Sequence, residues 1–151
     1  MQMREKIAQA LISAVKQQDK RRTSTLRLMQ AAIKDRDIAH RGAGKDPVND
    51  DDIMEILTRM VKQRKESARI YEENGRMDLA EEELQEIGIV MEFLPKPLGE
   101  SDMKQACAEV VKEIGAEGLR DMGRCMSVLK EKYPGRMDFS KASGVIRDLL
   151  R

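Results

Sequence analysis

The feature that most constrains the fold is an apolar repeat with the 3.6-residue period of an α-helix, which recurs along the whole chain. No segment shows the strict alternation of apolar and polar residues that is typical of a half-buried strand. The clearest repeat has steps of three and four and comprises Met77, Ala80, Leu84, Ile87, Met91 and Leu94. The pattern therefore predicts an all-α protein.

Glycine, proline and capping residues divide the repeat into seven predicted helices. The first three cover about residues 5–18 and 21–39 and a long segment from Asn49 or Asp50 to Asn74-Gly75. The fourth carries the repeat from Met77, and the others run from about 100 to 115, 122 to 132 and 139 to 150. The apolar faces predicted for the first and last helices are Ile7, Leu11, Val15, Ala8 and Ile12, and Ala142, Val145, Ile146 and Leu149.

The segment Pro95-Lys96-Pro97 prevents a helix from continuing and marks the best domain boundary. We expect an N-terminal helical domain over residues 1–95 and a small three-helix domain over residues 99–151. The short connection at Asn74-Gly75 predicts that the third and fourth helices form a long antiparallel hairpin.

Charge is spread unevenly along a chain whose net charge is only +1. Residues 1–46 carry 11 Lys and Arg against 5 Asp and Glu, residues 47–98 carry 7 against 13, and residues 99–151 carry 10 against 9. The basic first segment and the acidic middle can be neighbouring helices that attract each other, or the basic segment can face RNA.

Residues for a self-contained active site are not recognisable in the sequence. The single histidine, His40, has no Cys or His neighbour with metal-ligand spacing, and no nucleophile elbow, phosphate-binding loop or dinucleotide-binding turn is present. We therefore expect no catalytic residue, no metal and no cofactor.

The cysteines and the apolar segments indicate the compartment. Cys107 and Cys125 lack the spacing of a redox motif, which favours two reduced thiols. No apolar run is long enough to cross a bilayer, and the first 15 residues do not resemble a secretory signal. We expect a cytoplasmic protein without a membrane partner.

Two clusters of charged residues are candidate sites. Across the predicted hairpin, Arg64 and Glu83 each lie in line with apolar residues, so we expect an ion-pair network that joins Arg64 or Arg76 to Glu83 or Glu86. Its expected role is to fix the register of the hairpin, and ligand binding is the alternative.

The second cluster surrounds the predicted start of the sixth helix. Asp121 is expected to cap that helix, and Gly123 to allow close approach to its first turn. Arg120, Arg124 and Arg136 flank this terminus, where a phosphate is favoured. Capping together with tight helix packing is the alternative interpretation.

Several of these residues occur in a combination that resembles the YqeY-like family. The matching residues are Leu26-Arg27, Lys62-Gln63-Arg64-Lys65-Glu66-Ser67, Tyr71, Gly75-Arg76, Asp78-Leu79-Ala80, Glu83, Glu86-Ile87, Leu94-Pro95, Asp121-Met122-Gly123, Met126, Gly135-Arg136 and Asp138. The resemblance covers essentially the whole chain. The sequence departs from the family pattern after Asp138, where Phe139 replaces a common glycine, and in its linkers.

The resemblance implies an all-α fold and a relationship to the tail of the B subunit of the glutamine-dependent aminoacyl-tRNA amidotransferase. That tail is associated with tRNA recognition, whereas the carbon–nitrogen ligase chemistry belongs to other domains and subunits. The expected function is a non-catalytic tRNA-associated module, with tRNA or a tRNA-handling enzyme as partner and Lys20, Arg21, Arg22, Arg27, Gly123, Arg124 and Arg136 as RNA-binding residues.

The sequence is also compatible with two other functions. The first is a protein–protein adaptor that docks on a larger enzyme through its methionine-rich helices, since the chain contains 11 Met. The second is a catalytic ligase or amidase. The oligomeric state stays open.

Overall fold

The computed structural model describes residues 2–151, which divide into two compact units between Pro95 and Lys96. Seven α-helices and one 3₁₀ turn make up the regular structure of these residues, and they contain no strand. The predicted all-α class is confirmed.

The N-terminal unit contains four helices: α1 (Met3–Lys16), α2 (Lys20–Gly42), α3 (Asp50–Glu73) and α4 (Met77–Met91). Helix α3 begins as predicted, because the Asn49 side chain accepts a hydrogen bond from the Asp52 amide while the Asp52 carboxylate accepts one from the Asn49 amide. It ends at Glu73 with Asn74 as its C-terminal cap, and Gly75 adopts the left-handed conformation (φ 72°) that reverses the chain into α4.

The core of this unit combines one apolar face from each helix. Its fully buried members include Ile7, Leu26, Met29, Ile53, Leu57 and Val90. Burying a side chain of this size contributes roughly 1.5–3 kcal/mol, so this core is the main source of the unit's stability.

The C-terminal unit contains α5 (Glu100–Ile114), a 3₁₀ turn (Leu119–Asp121), α6 (Met122–Lys132) and α7 (Phe139–Leu150). Its core is separate from that of the first unit and includes Cys107, Val110, Cys125, Leu129 and Ile146. The Leu98 amide donates to the Arg136 carbonyl over 2.7 Å, which attaches the segment that precedes α5 to the turn before α7.

Three predicted apolar faces are wrong in detail. In α4, Met77 and Leu84 are 60% and 51% exposed and Met91 is exposed, whereas Ala80, Ile87 and Val90 are buried. The buried face of α4 also includes the half-buried Glu83 and Glu86. The apolar repeat misplaced this face because Glu83 and Glu86, which the sequence assigns to the ion-pair network of the hairpin, share the buried face with Ala80, Ile87 and Val90.

The other two errors concern α1 and α7. Ile12 and Val15 of α1 are exposed while Ala14 is buried, and in α7 Leu149 is exposed while Leu150 is buried. In both helices, adjacent apolar residues made two faces plausible, and packing against the neighbouring helices selected one of them.

Candidate nucleic-acid interface

A shallow groove on the C-terminal unit contains Arg120 and Arg124, two of the three arginines that are predicted to bind phosphate. It has a volume of about 530 Å³ and is lined by Ile114, Arg120, Gly123, Arg124, Ser127 and Val128. Residues 120, 123, 124 and 127 follow steps of three and four, so they share one face of the 3₁₀ turn and the α6 that continues it. The groove therefore places two guanidinium groups and a hydroxyl beside the N-terminal end of a helix, where anions are favoured.

Arg120 and Arg124 are both exposed. Arg124 lies 3.9 Å from Asp121, and its side chain is 69% exposed, so this contact is a weak one. Both arginines can thus bind an external anion without breaking a strong internal ion pair.

Asp121 does not cap α6, which corrects the sequence prediction. Its carboxylate accepts a hydrogen bond from the Glu117 amide over 3.0 Å. This bond, with a smaller contribution from the Gly118 amide, lowers the pKa of Asp121. The 3₁₀ turn explains the error: it runs directly into α6, so Asp121 organises the loop before the turn instead of the first turn of α6.

Gly123 has no packing role within the described residues. A Cβ atom built at this position would meet no heavy atom within 4 Å. Tight helix packing, the alternative explanation for this glycine, is therefore not supported, and its backbone faces open space at the groove.

Arg136 is not among the residues that line the groove. Its Nε donates to the Lys96 carbonyl over 3.3 Å, and Gly135 (φ 71°) forms the turn that positions it. Arg136 holds the segment that enters the unit, a contact that only the tertiary structure reveals.

In the N-terminal unit, the predicted RNA-binding residues of α2 separate into two groups. Arg22 forms an ion pair of 2.5 Å with Glu92, and Arg21 lies 3.5 Å from Glu82, so both cations face the acidic helix α4 and its C-terminal cap. Lys20 and Arg27 are exposed and line a second groove, of about 440 Å³, with Val15, Gln18, Thr23 and Ser24.

The predicted hairpin network contains one inter-helix ion pair. Arg64 Nε lies 3.1 Å from Glu86 Oε2, and the two side chains are only 15% and 23% exposed. Arg64 precedes the last residue of α3 by nine positions, and Glu86 follows the first residue of α4 by nine, as expected of two antiparallel helices.

Glu83 and Arg76 occupy different positions in this region. Burial raises the pKa of Glu83, the neighbouring Glu86 raises it further, and Arg64 partly opposes both effects. Arg76 is exposed, and its nearest acidic partner is Asp78 at 3.9 Å. It lies in the turn between α3 and α4, away from the Arg64–Glu86 pair, because a residue at the end of a hairpin cannot reach its middle.

Other chemistry-bearing residues do not converge on a site. Cys107 and Cys125 are free thiols, and burial raises the pKa of both. Nδ1 of His40 lies 2.9 Å from the Asp46 carbonyl. Within residues 2–151 no group of His, Cys, Asp and Glu side chains is arranged to hold a metal, and none of the described helices has the length and hydropathy to span a bilayer.

Comparison with known proteins places the whole chain in one family. The family model described as Yqey-like protein matches residues 4–150. No curated protein matches the chain at a significant level. Because the family match spans all seven helices and both units, the chain belongs to the YqeY-like family.

Proposed function

We propose that this YqeY-like protein binds tRNA as a non-catalytic accessory module of glutamine-dependent amidation. The groove of the C-terminal unit carries the proposal, since it presents Arg120 and Arg124 one turn apart with the Ser127 hydroxyl. Such a set can bind phosphate oxygens by charge and by hydrogen bonds. The carbon–nitrogen bond would be formed by a partner enzyme, and the cytoplasm is the proposed compartment because free thiols persist there.

The composition favours backbone recognition over base recognition. The chain contains two Tyr, two Phe and no Trp, which is too few aromatic side chains for a base-stacking surface. We therefore expect binding that depends on RNA shape and phosphate charge. The logarithm of the association constant should fall with the logarithm of the salt concentration, with a slope of about 0.7–0.9 for each phosphate contacted.

Fluorescence anisotropy with labelled tRNA tests the proposal directly. We expect the double variant Arg120→Gln/Arg124→Gln to weaken binding and to reduce the salt slope by about two. The matched control is Lys130→Gln/Lys141→Gln, which removes the same charge from exposed positions outside the groove of the same unit. Equal affinity of the two double variants would refute a role of the groove, and no tRNA binding by the unmodified chain would refute the function.

A pair of glycine variants separates binding from folding. Gly123→Ala should stabilise the fold by about 0.5–1 kcal/mol, because alanine is the better helix former and its methyl group meets no neighbour. The same variant should weaken tRNA binding if a phosphate approaches the Gly123 backbone. Gly144→Ala, in α7, has equally open surroundings and should stabilise the fold while leaving affinity unchanged.

A protein–protein adaptor is the second candidate function. The observation that favours it is the outward stripe of α4, in which Met77, Leu84 and Met91 are exposed at steps of seven residues. If α4 docks on a larger enzyme, the variant Met77→Gln/Leu84→Gln/Met91→Gln should abolish co-purification of a stoichiometric, nuclease-resistant protein partner. Retention of that partner would refute this role of α4.

A further inference from the structure

The seven Lys and Arg residues of α2 form two sets with different environments. Arg21, Arg22 and Arg36 lie within 4.0 Å of Glu82, Glu92 and Glu55, which belong to α4, the α4 cap and α3, respectively. These three cations serve the packing of the N-terminal unit.

The other four cations follow a seven-residue repeat: Lys20, Arg27, Lys34 and Arg41. All four are exposed, and none forms an ion pair with an acidic side chain of the described chain. We call these four residues the cationic ladder. Among the described residues of the N-terminal unit, no acidic side chain neutralises their charge.

The ladder has a defined length and winds only slightly around α2. Seven residues advance a helix by about 10.5 Å, so its four cations span roughly 31 Å along α2. Each step of seven also turns the position by about 20° around the helix axis, which leaves all four on one side. They lie to one side of the buried face of α2, since Arg27 and Lys34 each follow a buried residue, Leu26 and Ile33, and adjacent residues of a helix are about 100° apart around its axis.

A regular row of cations on a rigid helix fits a regular row of anions. The phosphate backbone of a nucleic-acid double helix provides one, and its own rigidity preserves the spacing over 30 Å. A single strand would instead require stacking side chains, and α2 contains no Phe, Tyr or Trp.

Insertion into a membrane does not suit this surface. An interfacial helix must bury its apolar face among lipids, but the apolar face of α2 is already buried in the core of the unit. Only two large apolar residues, Leu28 and Ile38, are exposed on this helix. The outward face is therefore suited to a solvated polyanion.

We propose that the cationic ladder of α2 binds the phosphate backbone of a double-helical RNA stem. This inference rests on the proposed tRNA association and adds to it a second contact surface, on the N-terminal unit. The ladder recognises duplex geometry and charge, and it makes no contact with base edges.

The test compares two charge-matched double variants of the full chain in anisotropy measurements with tRNA, a blunt RNA duplex and a DNA duplex. Arg27→Gln/Lys34→Gln removes the middle of the ladder, and Lys6→Gln/Lys65→Gln removes two exposed cations from other helices of the same unit. We expect the ladder variant to lose roughly 10- to 30-fold in affinity for tRNA and RNA duplex near physiological salt, with a salt slope lower by about two. The control variant should lose much less.

A variant that is expected to increase the affinity tests whether loss of folding explains the weaker binding. Asp35 is an exposed acidic residue next to the ladder, so Asp35→Asn should tighten duplex binding by about two-fold. A misfolded protein would not bind more tightly. Unchanged affinity of Arg27→Gln/Lys34→Gln would overturn the ladder proposal, and so would weaker binding by both variants, because that result points to loss of folding.

The outcomes separate the ladder from the groove and from the function. If the Arg120→Gln/Arg124→Gln variant loses tRNA affinity while the ladder variant does not, the ladder proposal is wrong and tRNA association stands. If the unmodified chain binds neither tRNA nor RNA duplex, both proposals fail. Equal loss of affinity for DNA duplex would support the shared phosphate chemistry, whereas tight binding of DNA but not RNA would overturn the RNA assignment.

Discussion

The two compact units use charge in different ways. In the N-terminal unit, ion pairs join every helix to another, as in Arg4–Asp37 between α1 and α2 and Arg64–Glu86 between α3 and α4. In the C-terminal unit the described inter-helix ion pair is Lys132–Glu113, between two exposed side chains, and the core contains both cysteines. The first unit is thus held by apolar packing together with charge pairing, and the second chiefly by apolar packing.

This difference bears on which cations can bind a ligand. In the first unit, cations near the core have acidic partners, and those of the ladder do not. In the second unit, the groove arginines are exposed and only weakly paired. A basic residue therefore has to be assigned by its partner in the fold and not by its position in a basic segment.

The largest expected effect tests whether the two cores are independent. Leu129→Ala removes a fully buried side chain from the C-terminal unit and should cost about 3 kcal/mol of its free energy of unfolding. Because both thiols lie in that unit, their rate of labelling by a thiol reagent should rise strongly. The matched variant Leu57→Ala, in the other core, should lower the free energy of unfolding of its own unit by a similar amount but leave thiol labelling slow. Faster labelling in both variants would show that the two units unfold as one cooperative unit.

The next effect tests the ion pair between α3 and α4. Arg64→Met leaves Glu86 without a partner beside a second half-buried carboxylate, Glu83, and should cost about 2 kcal/mol in urea unfolding. Arg69→Met is the control, since Arg69 pairs with Glu66 and Glu73 on the exposed face of α3 and should contribute less than about 0.5 kcal/mol. Equal costs would mean that burial does not distinguish the two pairs.

A smaller effect concerns the Arg4–Asp37 contact and depends on pH. Asp37 accepts hydrogen bonds from Arg4 and from the Val48 amide, and the Arg4 guanidinium is the main cause of its pKa lying below the ordinary 3.8. A lowered pKa in the folded state gives stability that is present above about pH 4 and is lost as pH falls through that pKa. Asp37→Asn should therefore cost about 1 kcal/mol at pH 7 and much less at pH 2.5, as urea unfolding at both pH values can measure.

The smallest effect has the opposite sign. Since burial and Glu86 raise the pKa of Glu83, its ionised form destabilises the fold above that pKa, and the penalty disappears below the ordinary value of 4.5. Glu83→Gln should raise the free energy of unfolding by about 0.5 kcal/mol at pH 7 and have no effect at pH 4. Glu81→Gln, at an exposed position of the same helix, is the control and should change stability less at pH 7.

How far sequence reasoning succeeds depends on whether the relevant interaction is local. The start of α3 at Asn49 and its end at Asn74-Gly75 were predictable, because capping and left-handed turns involve residues adjacent in the chain. The 3₁₀ turn before α6 was missed, and with it the true partner of Asp121, since no side-chain pattern distinguishes it from a first helical turn. The cationic ladder shows a sequence signal that was overlooked, namely four basic residues spaced by seven.

The sequence alone determined that the chain is all-α and where its helices begin and end to within a few residues, because periodicity and capping are properties of neighbouring residues. The order of its motifs along the chain also determined that its family is YqeY-like. Only the tertiary structure decided which apolar face of α4 is buried and which arginines of α2 are paired. Those outcomes depend on charges and side chains brought together from distant positions, such as Arg22 with Glu92. The free energy of each such contact depends on burial and on the partner, and neither can be predicted from the local sequence.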